Sequence, residues 1–177
     1  MWYIRRDTHT ERTNQPVIPL EKLYTLPCTH RVTIPEDYRD EMGHMNIQYY
    51  IAIYDRAAWG LFDWLGVSLE DMQATHSGMF ALKQFIQYMA EVHIGETVAV
   101  YSRVLSKSSK RLYFMHFMVN ESTGKLASTF EVLATHIDMN IRRSAPFTEA
   151  MAAKIQQRID EHTTLDWDAP LCGVLAP

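Results

Sequence analysis

A chain of 177 residues with 47% hydrophobic and 21% charged side chains has the size and composition of one soluble domain with a full core. Its net charge of −4 argues against general nucleic-acid binding, and no apolar run approaches the ~20 residues of a membrane span. Cys28 and Cys172 stand near opposite ends, and Met1–Asp7 lacks the apolar core of a secretory signal, so reduced thiols in a cytoplasmic protein are expected.

Residues 1–27 read as an N-terminal arm: polar from Asp7 to Gln15, then interrupted by Pro16, Pro19 and Pro27, which remove backbone donors and favour extended or turn conformations. A domain over 28–162 follows. Thr29–Ile34 is expected as a first strand, stopped by Pro35. Ile47, Tyr50, Ile51, Tyr54, Ala58, Leu61 and Leu65 then recur at steps of three and four, which predicts a helix over Ile47–Leu65 with one apolar face. Asn46 is positioned to cap its first turn, and Gly66 suits the left-handed residue that ends it. Ser68 is expected to cap a short helix over Leu69–Thr75.

From Met79 the period shortens to two. Four alternating stretches (79–88, 98–104, 111–120 and 126–138) separated by short turn segments predict an antiparallel meander. Pro146 opens a terminal helix expected over Phe147–His162, and residues 163–177 read as a loose C-terminal tail. A long amphipathic helix between one strand and this meander gives an α+β domain, the helix laid on an antiparallel sheet of about five or six strands.

The chemistry is expected in the loop before the long helix. Asp40 and His44 share a turn loosened by Gly43, and that turn leads into a helix N-terminus, where free N–H groups and the macrodipole favour negative charge. Asp55, deeper in the helix, reads first as a surface or paired charge. Lys107, Lys110 and Arg111 cluster at one hairpin, and Arg142 and Arg143 follow the last strand. The eight histidines form no i, i+4 pair and no His-Glu-x-x-His arrangement, so no metal is expected; nor is there a Gly-x-Ser-x-Gly elbow or a Gly-rich phosphate loop.

Asp40, Gly43, His44, Met45, Asn46 and Tyr50 spell Asp-x-x-Gly-His-hydrophobic-Asn-x-x-x-Tyr, a pattern that resembles the hot-dog-fold thioesterases of the hydroxybenzoyl-CoA thioesterase type. The likeness runs from Thr29 to Ile159; Asp55 matches an acidic residue usual in the helix, while Tyr38 stands where an upstream acidic residue is common. The resemblance implies a hot-dog fold and hydrolysis of an acyl-CoA thioester, with Asp40 as nucleophile or general base. His44 and Asn46 complete the catalytic loop, the backbone amides of residues 46–48 form the oxyanion site, and Gly43, Ile47, Tyr50, Asp55 and Arg111 contact substrate. It also implies no cofactor beyond the coenzyme A of the substrate, and a homodimer or dimer of dimers with sites at the subunit interface. Lys110-Arg111-Leu112 and the stretch from Thr129 through His136-Ile137-Asp138 to Arg142-Arg143-Ser144-Ala145-Pro146 are similar to the thioesterases of carnitine and betaine catabolism, implying a betainyl or related short acyl group. The alternatives are a hot-dog dehydratase or hydratase and a non-catalytic acyl-binding module.

Overall fold

A computed structural model describes residues 18–177; the polar part of the expected arm, and the segment read for a secretory signal, lie outside them. In chain order the elements are α1 (Leu20–Leu23), β1 (Cys28–Thr33), α2 (Ile47–Trp64), α3 (Leu69–Ala74), β2 (Ser77–Tyr88), β3 (Thr97–Lys107), β4 (Arg111–Asn120), β5 (Lys125–Asp138), β6 (Arg143–Ser144) and α4 (Glu149–Thr163). Local chemistry sets the helix ends. Asn46 Oδ1 accepts the Gln48 amide at 3.1 Å. Gly66, at φ 72°, closes α2 with the Gly66 amide on Asp63 O and the Val67 amide on Phe62 O, the paired bonds of a Schellman motif. Ser68 and Asp71 cap α3 reciprocally, and Thr148 caps α4, which therefore starts two residues later than expected.

The sheet is antiparallel in the order β1-β3-β4-β5-β2, with β6 also on β5. This departs from the expected four-strand meander. β3, β4 and β5 are sequential neighbours, but β2 pairs with the far side of β5 and residues 89–96 carry the chain back to β3. Alternation assigns a strand's faces and says nothing about which strand lies beside it. α2 crosses the concave face of this sheet in the hot-dog arrangement, and Tyr54, Ala57 and Leu61 pack there with Val98, Phe114, Met118 and Phe130.

Two expected faces are placed differently. Ile47 and Ile51 are 63% and 41% exposed, while Ile53, Ala57 and Phe62 are buried. Apolar side chains surround most of α2, so periodicity alone left its orientation open; Ile47, Ile51, Asp55 and Trp59 make a second stripe at i, i+4 spacing. β2, expected half-buried, presents Phe80, Leu82, Phe85 and Tyr88 to solvent.

The convex face carries a second core. Ile18, Leu23 and Leu26 of the arm are buried there against Ala99, Tyr101, Met115 and Phe117, joined by Leu165, Trp167 and Ala169. The C-terminal segment is therefore packed, contrary to the loose tail expected: Arg103 stacks on Trp167 at 4.4 Å and donates to its carbonyl at 2.7 Å, and the Cys172 amide donates to Glu131 Oε2 at 2.7 Å. These contacts have no periodicity to read in sequence. Both cysteines are free thiols.

Candidate active site

The loop before α2 is held at both ends by backbone bonds: Arg39 and Met45 form one antiparallel bridge and His44 and His93 another. Gly43 takes φ 88°, the left-handed conformation that lets the turn close. The Tyr38 and Tyr49 rings stack with centroids 3.7 Å apart, and the Tyr49 hydroxyl donates to Asp37 O at 3.0 Å. Tyr38 thus anchors the loop to the first turn of α2.

Asp40 closes its own turn. Its Oδ1 accepts the amides of Met42 at 2.8 Å and His44 at 3.0 Å, while Oδ2 has no partner among the described residues. The His44 N–H, foremost, with the Met42 N–H and the His44 ring, holds the carboxyl below the usual carboxylate range, so Asp40 is anionic at neutral pH. Its carboxylate lines an open cavity of about 390 Å³ with His44, Ile47, Tyr50, Tyr88 and Glu91. Burial pushes the Tyr50 hydroxyl up to about 12, so it stays a neutral donor. His44 Nε2 lies 3.4 Å from Glu91 Oε2.

Of the three amides expected as oxyanion donors, two are engaged. The Asn46 amide donates to Tyr38 O at 2.8 Å and the Gln48 amide to Asn46 Oδ1. The Ile47 amide has no acceptor among the described residues. It stands at the positive end of an 18-residue helix, and Ile47 lines the same cavity as Asp40.

Asp55 and Arg111 lie elsewhere. Asp55 is exposed in the single chain and lines a second, smaller cavity of about 120 Å³ between α2 and the sheet, with Tyr54, Trp59, Phe62, Phe130 and the buried His116 among its walls. His116 was not among the sequence-derived candidates, since a lone histidine in an apolar strand carries no spacing signal. Arg111 starts β4 opposite Thr135, which pairs with Phe80. Tyr88, at the Asp40 cavity, is eight residues further along β2, about 27 Å at ~3.4 Å per residue. Arg111 has no acidic partner among the described residues, but within one chain it stands at the opposite end of the sheet from Asp40.

A curled antiparallel sheet around one long helix, with a carboxylate at that helix's N-terminus, defines a hot-dog thioesterase. The chain belongs to the thioesterase-like superfamily, whose family model matches residues 35–155, and it is a thioester hydrolase. Among characterised relatives, it is 23% identical over 137 residues to the betainyl-CoA thioesterase of Pseudomonas aeruginosa, covering 77% of this chain and 86% of that protein. It is 28% identical over 142 residues to the L-carnitine dehydrogenase/betainyl-CoA thioesterase of Agrobacterium fabrum, covering 80% of this chain but only 28% of that longer protein. Among solved structures, a Staphylococcus aureus protein in complex with CoA superposes with a TM-score of 0.75 at 25% identity, over 86% of this chain and 96% of that one. The 1,4-dihydroxy-2-naphthoyl-CoA thioesterase of Synechocystis shares the fold with a TM-score of 0.63 at 14% identity, over 72% of this chain and 93% of that one.

Proposed function

We propose that this protein hydrolyses a short acyl-CoA bearing a quaternary ammonium group, of the betainyl class, using Asp40 as the catalytic carboxylate and the Ile47 amide as the oxyanion donor. The observation that carries the mechanism is the division of labour at Asp40: among the described residues, Oδ1 holds the turn and Oδ2 is left without a partner. The cavity that Asp40 lines is also lined by Ile47, whose amide has no acceptor among them. A thioester has a good leaving group, so an oriented carboxylate and one donor on a helix dipole suffice without a Ser-His-Asp triad. Asp40 either attacks the carbonyl carbon, expelling the thiolate and leaving an acyl anhydride that a water then hydrolyses to the acid and free Asp40, or removes a proton from a water that attacks the carbonyl directly. In both cases negative charge develops on the carbonyl oxygen at the Ile47 N–H, and the coenzyme A thiol leaves.

The active form is a dimer built on β2. Its twelve residues form a sheet edge bearing exposed Phe80, Leu82, Phe85 and Tyr88, an apolar edge that demands a partner strand. Antiparallel pairing of two β2 edges lays the Ser77 end of one copy beside the Tyr88 end of the other. That brings Arg111 of the second copy toward the Asp40 cavity, where its guanidinium meets the phosphates of coenzyme A. The same pairing answers a question of reach. Asp55 stands eight residues along α2 from Ile47, about 12 Å at ~1.5 Å per residue, too far for a betainyl group whose carbonyl sits at the Ile47 amide of the same chain. The second copy's aromatic cavity is the one its ammonium enters, with Tyr54, Trp59, Phe62 and Phe130 offering ring faces and Asp55 a counter-charge.

The support for the acyl group is this ring set together with the names of the two characterised relatives. The decisive experiment follows free thiol released from betainyl-CoA and from its neutral isostere 3,3-dimethylbutyryl-CoA. A desolvated cation–π contact of about 2 kcal/mol predicts kcat/KM about 30-fold higher for the charged substrate. Equal rates would remove the cage. No thiol release from any acyl-CoA, with hydration or dehydration of an enoyl substrate or binding alone in its place, would favour the dehydratase or the binding module.

A further inference from the structure

His44 and His93 face each other across an antiparallel backbone bridge, and the Met45 amide donates to Val92 O at 2.8 Å just beside it. Their rings lie with centroids 4.9 Å apart. Glu91 completes the group: its Oε2 is 3.4 Å from His44 Nε2 and 3.8 Å from His93 Nε2, and all three donor atoms lie within 4.8 Å of one another. A tetrahedral ion bound at ~2.0–2.1 Å has neighbouring ligand atoms about 3.3 Å apart. One of these distances already matches, and the others need contractions of side-chain atoms only. The backbone at His93 is fixed independently, its amide donating to Glu96 Oε2 at 2.7 Å and that same oxygen accepting from Asn120 Nδ2 at 2.7 Å.

We propose that His44, Glu91 and His93 form a binding site for a zinc-class divalent ion, and that its occupation inhibits hydrolysis. Two imidazoles and one carboxylate suit Zn²⁺, Ni²⁺ and Cu²⁺, while Mg²⁺ and Ca²⁺ prefer all-oxygen shells. The site is distinct in purpose from the hydrolytic machinery but shares a wall with it. His44 and Glu91 both line the Asp40 cavity, so an ion held between them withdraws the His44 ring and sets positive charge beside the free carboxylate oxygen. The charge of the ion lowers the basicity and nucleophilicity of Asp40 beyond what the His44 ring alone does, and the ion with its ligands narrows the approach of the thioester. The sequence gives no sign of this site, because His44 and the Glu91-x-His93 pair are joined only by the fold.

Inhibition rests on the hydrolase reading; binding does not, and the two are tested separately. In a titration of the metal-free full-length protein with Zn²⁺, followed by calorimetry and by the visible spectrum of the Co²⁺ form, one ion binds per chain. His93→Ala weakens that binding by at least about 100-fold, given that even an outer partner of a metal ligand is worth 10–100-fold. Glu91→Gln weakens it similarly. In the turnover assay, Zn²⁺ inhibits the wild type at concentrations matching its affinity and Mg²⁺ does not; His93→Ala keeps wild-type activity in chelator and loses the zinc sensitivity. Equal Zn²⁺ affinity in wild type and His93→Ala would overturn the site. Zinc bound at His44, Glu91 and His93 that leaves turnover unchanged, or raises it, would overturn the inhibitory role.

Discussion

Gly60, in the middle of α2, touches the backbone of β1: a methyl group on its α-carbon would lie 2.0 Å from the carbonyl oxygen of Thr29. Helix and first strand therefore approach at a distance only glycine allows, and this contact sets how deeply α2 sits in the sheet. Alanine is the better helix former by about 1 kcal/mol, so propensity and packing make opposite predictions for Gly60→Ala. The obstacle is backbone rather than the tip of a side chain, and overpacking of this kind costs about 1–3 kcal/mol or more. Packing wins. Gly60→Ala is expected to lower the urea midpoint, whereas a rise would show that helix and strand separate freely.

Asp40 allows a clean separation of its two roles. In Asp40→Asn the side-chain oxygen still accepts the Met42 and His44 amides, so the turn survives and only charge and basicity go. Turnover is expected to fall by at least ~100-fold, the low end of general-base contributions, with little change in CoA-ester affinity. Asp40→Ala loses the turn as well and is expected to bind more weakly. The acid limb follows from the same bonds. The folded carboxyl lies below its ordinary value, so activity persists as pH falls through the usual carboxylate range and is lost only on protonation below it. An Asp40→Asn protein that turns over near the wild-type rate would remove Asp40 from the mechanism.

The separation of Arg111 from Asp40 by the length of a strand makes subunit complementation a direct test of the dimer. Arg111→Ala is expected to weaken binding of CoA esters by about 1–3 kcal/mol, typical of a charge-assisted contact, and to spare short thioesters lacking the nucleotide. When Asp40→Asn and Arg111→Ala chains are unfolded, mixed in equal amounts and refolded, each mixed dimer carries one site with both residues intact. Half of the dimers are mixed, so activity at limiting substrate should return to about a quarter of wild type. Recovery of no activity, or a monomer by light scattering, would refute the shared site.

What could be read in the sequence was local. Asn46, Gly66 and Ser68 act through hydrogen bonds within a few residues, and each stands where its residue type predicts. The loop from Asp40 to Asn46 was legible for the same reason, since its turn, its glycine and the helix start are contiguous. The neighbour of β2 was not legible, because an eight-residue crossover and a hairpin loop differ in where they end rather than in composition. The tilt of α2 was hidden by apolar residues on most of its sides, and Gly60 gave only the weak hint that glycine is unfavourable inside a helix. Trp167 and Cys172 dock through contacts with Arg103 and Glu131 that no periodicity announces. His116, alone in an apolar strand, gave no hint at all.

His116 is fully buried, and burial pushes its imidazole down to about 3. The hydrogen bonds around it assign its tautomer. The Thr29 hydroxyl donates to Val100 O at 3.2 Å and lies 2.6 Å from Ser102 Oγ, which lies 2.6 Å from His116 Nδ1. Thr29 has one proton, already given to Val100, so Ser102 donates to Thr29 and His116 Nδ1–H donates to Ser102. Nε2 is left a buried lone pair without a partner. Below the ordinary histidine pKa of 6.5 the unfolded chain takes up a proton here and the folded chain does not, so stability falls as pH falls. At about 1.4 kcal/mol per pH unit, this one group removes about 2 kcal/mol between pH 7 and pH 5. His30 and His162 are also lowered, chiefly by burial, and act in the same direction, but both are retained in a His116→Phe variant that keeps a ring against Tyr54. Urea unfolding of the two proteins at pH 7 and pH 5 should show the wild type losing about 2 kcal/mol more than the variant. Equal losses would mean that His116 takes up its proton in the folded state, with Nε2 reaching water or the second cavity.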